Sequence, residues 1–167
     1  MKCMKRYCLM FILLMSLLML PASVQAAKHF TLDEGLSEAA DKIGGSSHIP
    51  AKANLAVVGF VESTSRTRLP LSSVLEDDLT SFLTEKRPGR VVAKNNIDTV
   101  LRELRITRDD LFDSRHRKQF GKLASADLLV SGNYWINRQD VVINITVVDI
   151  ESGLALLSHR VKIRKSQ

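Results

Sequence analysis

Cysteine is nearly absent from this chain, and where it occurs it cannot staple a fold. The 167 residues hold two cysteines, Cys3 and Cys8. Neither follows the apolar run Leu9–Leu20, where a lipid-bearing cysteine would stand. Aromatics are scarce too: one tryptophan, two tyrosines and six phenylalanines. None is interleaved with the basic residues, which argues against a surface that stacks nucleic-acid bases. Histidine occurs four times, at His29, His48, His116 and His159, with no pair at zinc-site spacing. No metal or other cofactor is expected.

The usual catalytic signatures are missing as well. There is no G-x-S-x-G elbow, S-x-x-K pair or Walker-type phosphate loop. The adjacent acids Asp77-Asp78 and Asp109-Asp110 fall in helical segments, where neighbours project about 100° apart instead of sharing a substrate. They read as solvated faces, since a catalytic pair comes from separate elements brought together. The chain is not expected to be an enzyme. A hydrolase whose acids converge only in three dimensions stays open; a cleft holding two carboxylates from different elements would reveal it.

What is present begins with a leader. Lys2, Lys5 and Arg6 precede Leu9–Leu20, which only Ser16 interrupts, and Val24-Gln25-Ala26 places small residues at a cleavage site before Ala27. Twelve helical residues reach about 18 Å, short of the roughly 30 Å hydrocarbon core. Residues 1–26 are therefore expected to be a signal peptide cut between Ala26 and Ala27, leaving no transmembrane segment in the mature chain. That chain has 141 residues (167 less 26), and its formal charge is +3, the full +6 less three lost basic groups. The length suits one domain with a sizeable core. An exported chain of this size without a disulfide fits a bacterial periplasm better than an animal secretory route.

Residues 27–53 divide into a helix and a polar linker. Thr31-Leu32-Asp33-Glu34 reads as a capping box, Leu32, Leu36, Ala39, Ala40 and Ile43 as one apolar stripe, and Gly44-Gly45 as the stop. Over 54–164 the pattern reads as a buried strand at Asn54–Val61 and a helix with Leu71, Val74, Leu75, Leu79, Phe82 and Leu83 at helical spacing. A short strand at Arg90–Lys94, a helix capped by Asn95-Asn96 and a last helix capped by Ser114 follow. Asp127–Trp135 is strand-like, and Val141–Val148 alternates between a wholly apolar face and a half-polar one. Glu151-Ser152-Gly153 turns the chain into a closing strand. Of Tyr134 and Trp135, alternation sends one to the core and the other to the opposite face. The expectation is an α/β (α+β) fold with a mixed five-stranded sheet. Helical crossovers would make its first three strands parallel, short turns would make its last three an antiparallel meander, and helices would pack on it.

The best candidate for a binding surface is basic. Arg102, Arg105, Arg108, Arg115 and Arg117 gather within 16 positions, partly balanced by Glu103, Asp109, Asp110 and Asp113. Arg102 and Arg105 lie opposite the Ile97/Leu101/Leu104 stripe and should face solvent. A partner protein and an anionic envelope polymer both fit this surface, while a plain solvated helix face fits it too.

"VLRELRI" (100–106), "LASADLLVSGNYW" (123–135) and "VVINITVVDIESGLALLS" (141–158) resemble, in that order, segments of the CsgG/FlgO-like superfamily of bacterial envelope proteins. Leu55–Phe60 resembles its early strand. The resemblance implies a non-enzymatic periplasmic or outer-membrane-associated accessory protein. It would assemble with itself or with envelope proteins in a flagellum or secretion apparatus, with peripheral membrane association open and no nucleic-acid partner. Trp135 and Val141 are six positions apart, too close for the membrane hairpins of the channel-forming members, whose strands need about 9–11 residues each. The alternative is a periplasmic regulator that binds a cell-wall synthase or another envelope protein.

Overall fold

Helix α1 (Leu32–Gly45) opens on the capping box read from the sequence: the Glu34 amide donates to Thr31 Oγ1 at 3.3 Å and the Thr31 amide to Glu34 Oε2 at 3.0 Å. The structure, a computed structural model, describes residues 31–87 and 89–164. The expected leader and its Ala26–Ala27 cleavage site lie outside the described residues. After α1 come β1 (Leu55–Glu62), α2 (Pro70–Lys86), α3 (Lys94–Leu104), a 3₁₀ turn (Asp109–Phe112) and α4 (Ser114–Ala124). Three strands close the chain: β2 (Leu128–Ile136), β3 (Asp140–Asp149) and β4 (Ala155–Arg164).

The sheet has four strands in the order β1-β2-β3-β4, with β1 parallel to β2 and the other two pairs antiparallel. The expected fifth strand, and with it the run of three parallel strands, fails at Arg90–Lys94. Val91 makes one parallel bridge to Leu55, through Leu55 N–H to Arg90 O and Val92 N–H to Leu55 O, both 2.8 Å. Ala93 then caps α3, so no length is left for a ladder. Asn95 and Asn96 accordingly fall inside the helix. Asp113, not Ser114, caps α4; its Oδ1 accepts from the amides of Arg115 and His116 at 2.9 and 3.2 Å.

The two faces of the sheet are covered unequally. On one, Leu36, Ala40 and Ile43 of α1 and Leu75, Leu79 and Leu83 of α2 pack on Leu55, Phe60, Val130 and Ile143, and Tyr134 lies fully buried among them. α1 thus belongs to the same core as the strands. The linker after it is tied down as well, because the buried Arg87 donates to the carbonyls of Pro50 and Ala51 at 2.6 and 2.9 Å. On the other face, α3, the 3₁₀ turn and α4 cover only Ala56, Val58 and Leu129, with Ile97, Leu101, Leu111, Phe120 and Ile150 completing a smaller core. Among the described residues no helix is long and apolar enough to cross a membrane.

At Gly132 the backbone of β2 lies close against β3 and a ring of the large core. A Cβ there would stand 2.5 Å from the Asn144 carbonyl oxygen and 2.6 Å from Phe60 Cδ1, so only glycine lets β2, β3 and the Phe60 ring meet.

Candidate partner-binding surface

The five arginines of the 102–117 segment separate into two groups. Arg108 is committed to structure: its Nη2 donates to Asp98 Oδ1 at 2.6 Å and to Glu76 Oε1 at 3.3 Å. Glu76 is 1% exposed and pairs also with Arg68, so one buried carboxylate joins α2 to the β1–α2 loop and to the segment before the 3₁₀ turn. Arg117 is likewise used internally. It donates from Nε to Ile150 O at 3.1 Å and from Nη1 to Phe112 O at 3.3 Å. Its guanidinium fills the space beside Gly153, where φ is +74° and a Cβ would stand 2.6 Å from Nη2.

Arg102, Arg105 and Arg115 remain exposed. Arg102 folds along its own helix, donating to Asp98 O at 3.2 Å and Thr99 Oγ1 at 3.3 Å. It lines a groove of about 500 Å³ that also receives Arg66, Arg68, Arg108, Asp98 and Asp109. The β1–α2 loop that supplies Arg66 and Arg68 is held by Glu62, whose Oε2 accepts from the amides of Thr64 and Ser65 at 3.0 and 2.6 Å and from Ser65 Oγ at 2.8 Å. Those donors, the Ser65 amide first, hold the Glu62 carboxyl down to about 2. Sequence reading missed Arg66 and Arg68 because the loop they share comes beside α3 only through the fold.

A second surface adjoins this groove. The helices stop short of β3 and β4, and strand alternation sends Asn133, Trp135, Asn144, Thr146, Ser158, Arg160 and Lys162 to the uncovered side. These side chains are linked across the strands. Asn144 Nδ2 donates to Asn133 Oδ1 at 2.9 Å, Arg160 Nε donates to Asn144 Oδ1 at 2.9 Å, and Ser63 Oγ donates to Asn133 Oδ1 at 3.3 Å. The Arg160 guanidinium lies 5.5 Å from the Trp135 ring centroid, within cation–π range. Trp135 is the half-buried member of the aromatic pair, while Tyr134 turns into the core, where its hydroxyl meets Ser72 Oγ at 3.1 Å. Phe112, 78% exposed, overhangs the same face above Gly132, Thr146 and Val148. The half-polar alternation of Val141–Val148 signalled this open face, and the matching Ser158, Arg160, Lys162, Arg164 series is its other half.

The two acid pairs lie on α2 and in the 3₁₀ turn. Asp77 pairs with Lys94 at 2.6 Å, and Asp110 accepts from the Thr107 amide and hydroxyl, the amide being the larger cause of its lowered pKa. Among the described residues no His, Cys, Asp or Glu cluster could hold a metal ion.

A sheet packed with helices over one whole face and half of the other is an architecture that solved bacterial domains share. The C-terminal domain of LpoB from Salmonella enterica matches with a TM-score of 0.66 at 11% identity, over 81% of this chain and 100% of that one. The corresponding Escherichia coli domain matches at 0.64 and 11%, with the same coverage. Lipoprotein GNA1162 from Neisseria meningitidis matches at 0.56 and 16%, over 68% of this chain and 81% of that one. At these identities the likeness is one of fold. No family model and no curated protein matches the chain. The CsgG/FlgO-like resemblance is thereby overturned. The segments that carried it are α3, β2 and the β3–β4 hairpin, whose short apolar alternation is what any half-covered sheet of this kind needs.

Proposed function

We propose that this chain is an exported envelope accessory protein that acts without catalysis, by binding a cell-wall synthase. The carrying observation is the fold, matched over the whole LpoB C-terminal domain. LpoB is an outer-membrane lipoprotein regulator of PBP1b. The surface supports the same reading: the chain offers a shallow basic groove and an open, hydrogen-bonded sheet face, both suited to a macromolecular partner. The flagellar and secretion readings lose their ground together with the resemblance that suggested them.

The test is cross-linking of the intact protein in living cells of the bacterium that makes it, followed by identification of what is captured. A cell-wall synthase is the expected product, and its loss on deletion of the chain should lower synthase activity in isolated envelopes. Capture of basal-body or secretion proteins in its place would refute the reading.

A further inference from the structure

We propose that the uncovered half of the sheet, centred on Trp135 and Arg160, docks an acidic extended segment of the partner protein, with an apolar side chain of that segment seated beside Phe112. The proposal rests on the partner-binding reading above and specifies its surface and chemistry.

Charge complementarity carries it. Arg160 and Arg164 are exposed on this face, and Arg66 stands at its edge beside Asn133 and Phe112. Lys162 is matched by Asp140 at 3.0 Å, but among the described residues no carboxylate pairs with Arg160, Arg164 or Arg66. Asp109 brings one negative charge to the rim, beside Arg66. Arg160 is also pre-organised. Its Nε is spent on Asn144 and its plane lies over Trp135, which leaves the outer guanidinium nitrogens aimed at solvent with little rotamer freedom left to lose on binding. Fixed cations of this kind suit a carboxylate, which a guanidinium takes in two parallel hydrogen bonds.

The apolar part of the face distinguishes a peptide from a purely anionic polymer. Phe112, Val61, Val58 and Val148 line a hollow of about 250 Å³ together with Gly132 and the charged Arg68, Arg108 and Asp109. A buried aromatic or aliphatic anchor ringed by polar contacts is the usual arrangement of an interface centre. An anionic glycan has no apolar side chain for that hollow, and a flat lipid surface does not enter it.

The chain carries a single tryptophan, so the emission of Trp135 reports on the surface directly. The mature protein is titrated with a ten-residue peptide of Glu and Thr with one central Phe. Parallel titrations use the same peptide with Lys for Glu, an anionic glycan, and vesicles containing phosphatidylglycerol. A saturable shift with the acidic peptide alone is expected. Arg160→Glu and Phe112→Asp should each weaken it by at least about tenfold, while Lys122→Glu, near the C-terminal end of α4 away from Phe112, leaves it unchanged. Arg160→Gln, with circular dichroism as the fold check, stands in should the reversal unfold the chain. No shift with the acidic peptide, equal affinity in the Arg160 variants, or a response to glycan or vesicles instead would each overturn the proposal. Cellular cross-linking separates the two claims. Synthase capture that survives Arg160→Gln and Phe112→Asp refutes this surface and keeps the function; peptide binding without synthase capture keeps the surface and refutes the function.

Discussion

Replacing Glu76 by glutamine removes one negative charge from a carboxylate that is 1% exposed and leaves its two arginines in place. Deleting one partner of a fully buried ion pair costs about 3–5 kcal/mol, because the remaining charge is stranded. Here the strandedness is incomplete. The side chains of Arg68 and Arg108 are 35% and 23% exposed, and Arg108 keeps Asp98 at 2.6 Å, so water and Asp98 recover part of the loss. We expect about 2 kcal/mol of destabilisation, discounted for that screening. In a domain of this size it corresponds to a fall in Tm of roughly 8 °C. Urea unfolding followed by Trp135 emission measures it, with the m-value unchanged if only stability has moved. Pairing Glu76→Gln with Arg108→Met in a double-mutant cycle should return a coupling of about 1 kcal/mol or more. A Glu76→Gln loss below about 0.5 kcal/mol, the range of ordinary surface changes, would refute the reasoning. Arg108 would then be held chiefly by Asp98.

Two further outcomes follow from the packing and the titrating groups. Gly132→Ala gains about 0.5–1 kcal/mol of strand propensity but drives a methyl group against the Asn144 carbonyl and the Phe60 ring. Overpacking of that kind costs about 3 kcal/mol at its upper range, so a net loss of about 2 kcal/mol is expected in the same urea assay. Phe60→Leu in that background should recover only part of the loss, since the Asn144 carbonyl stays; full recovery would place the clash on Phe60 alone. On acidification, stability should fall in two windows. His159, whose pKa is lowered by burial first and by Lys42 second, gains its proton more readily when unfolded. Its contribution is therefore present above its ordinary value of 6.5 and fades as pH drops below that value. Glu62, held to about 2 against an ordinary 4.5, contributes stability above pH 4.5 that is lost as pH falls toward 2. Thermal melts of His159→Gln and Glu62→Gln across pH 3–8 should each flatten one window, and a flat profile in the parent protein would contradict both assignments.

Local signals in the sequence were strong wherever one residue's chemistry decides an outcome. The Thr31–Glu34 box, the stripe of α1, the apolar alternation of β3 and the division of labour between Tyr134 and Trp135 all appear in the structure as read. Arg90–Lys94 was misread because its β-branched pair satisfies strand propensity, yet one bridge to Leu55 already meets its backbone needs before α3 begins. Propensity cannot count the residues left for a ladder. The division of the basic cluster was hidden for a different reason. Counting arginines along 102–117 does not show which of them a distant acid has claimed, and Glu76 lies 32 positions from Arg108. The surface proposed for the partner is assembled from Ser63, Asn133, Asn144 and Arg160, whose hydrogen bonds span separations of 70, 11 and 16 positions. Each of those residues reads alone as an ordinary solvated polar group; their meaning lies in strand register, which sets Asn133 opposite Asn144 and Asn144 opposite Arg160. A shift of one residue in either pairing would send Arg160 into the α1 side of the sheet. The apolar residues that fix this register, Ile143, Ile145, Val147 and Val161, all belong to the large core. The core on one face therefore holds the charged surface on the other in place. Core substitutions that loosen β4 should weaken partner binding before they unfold the chain.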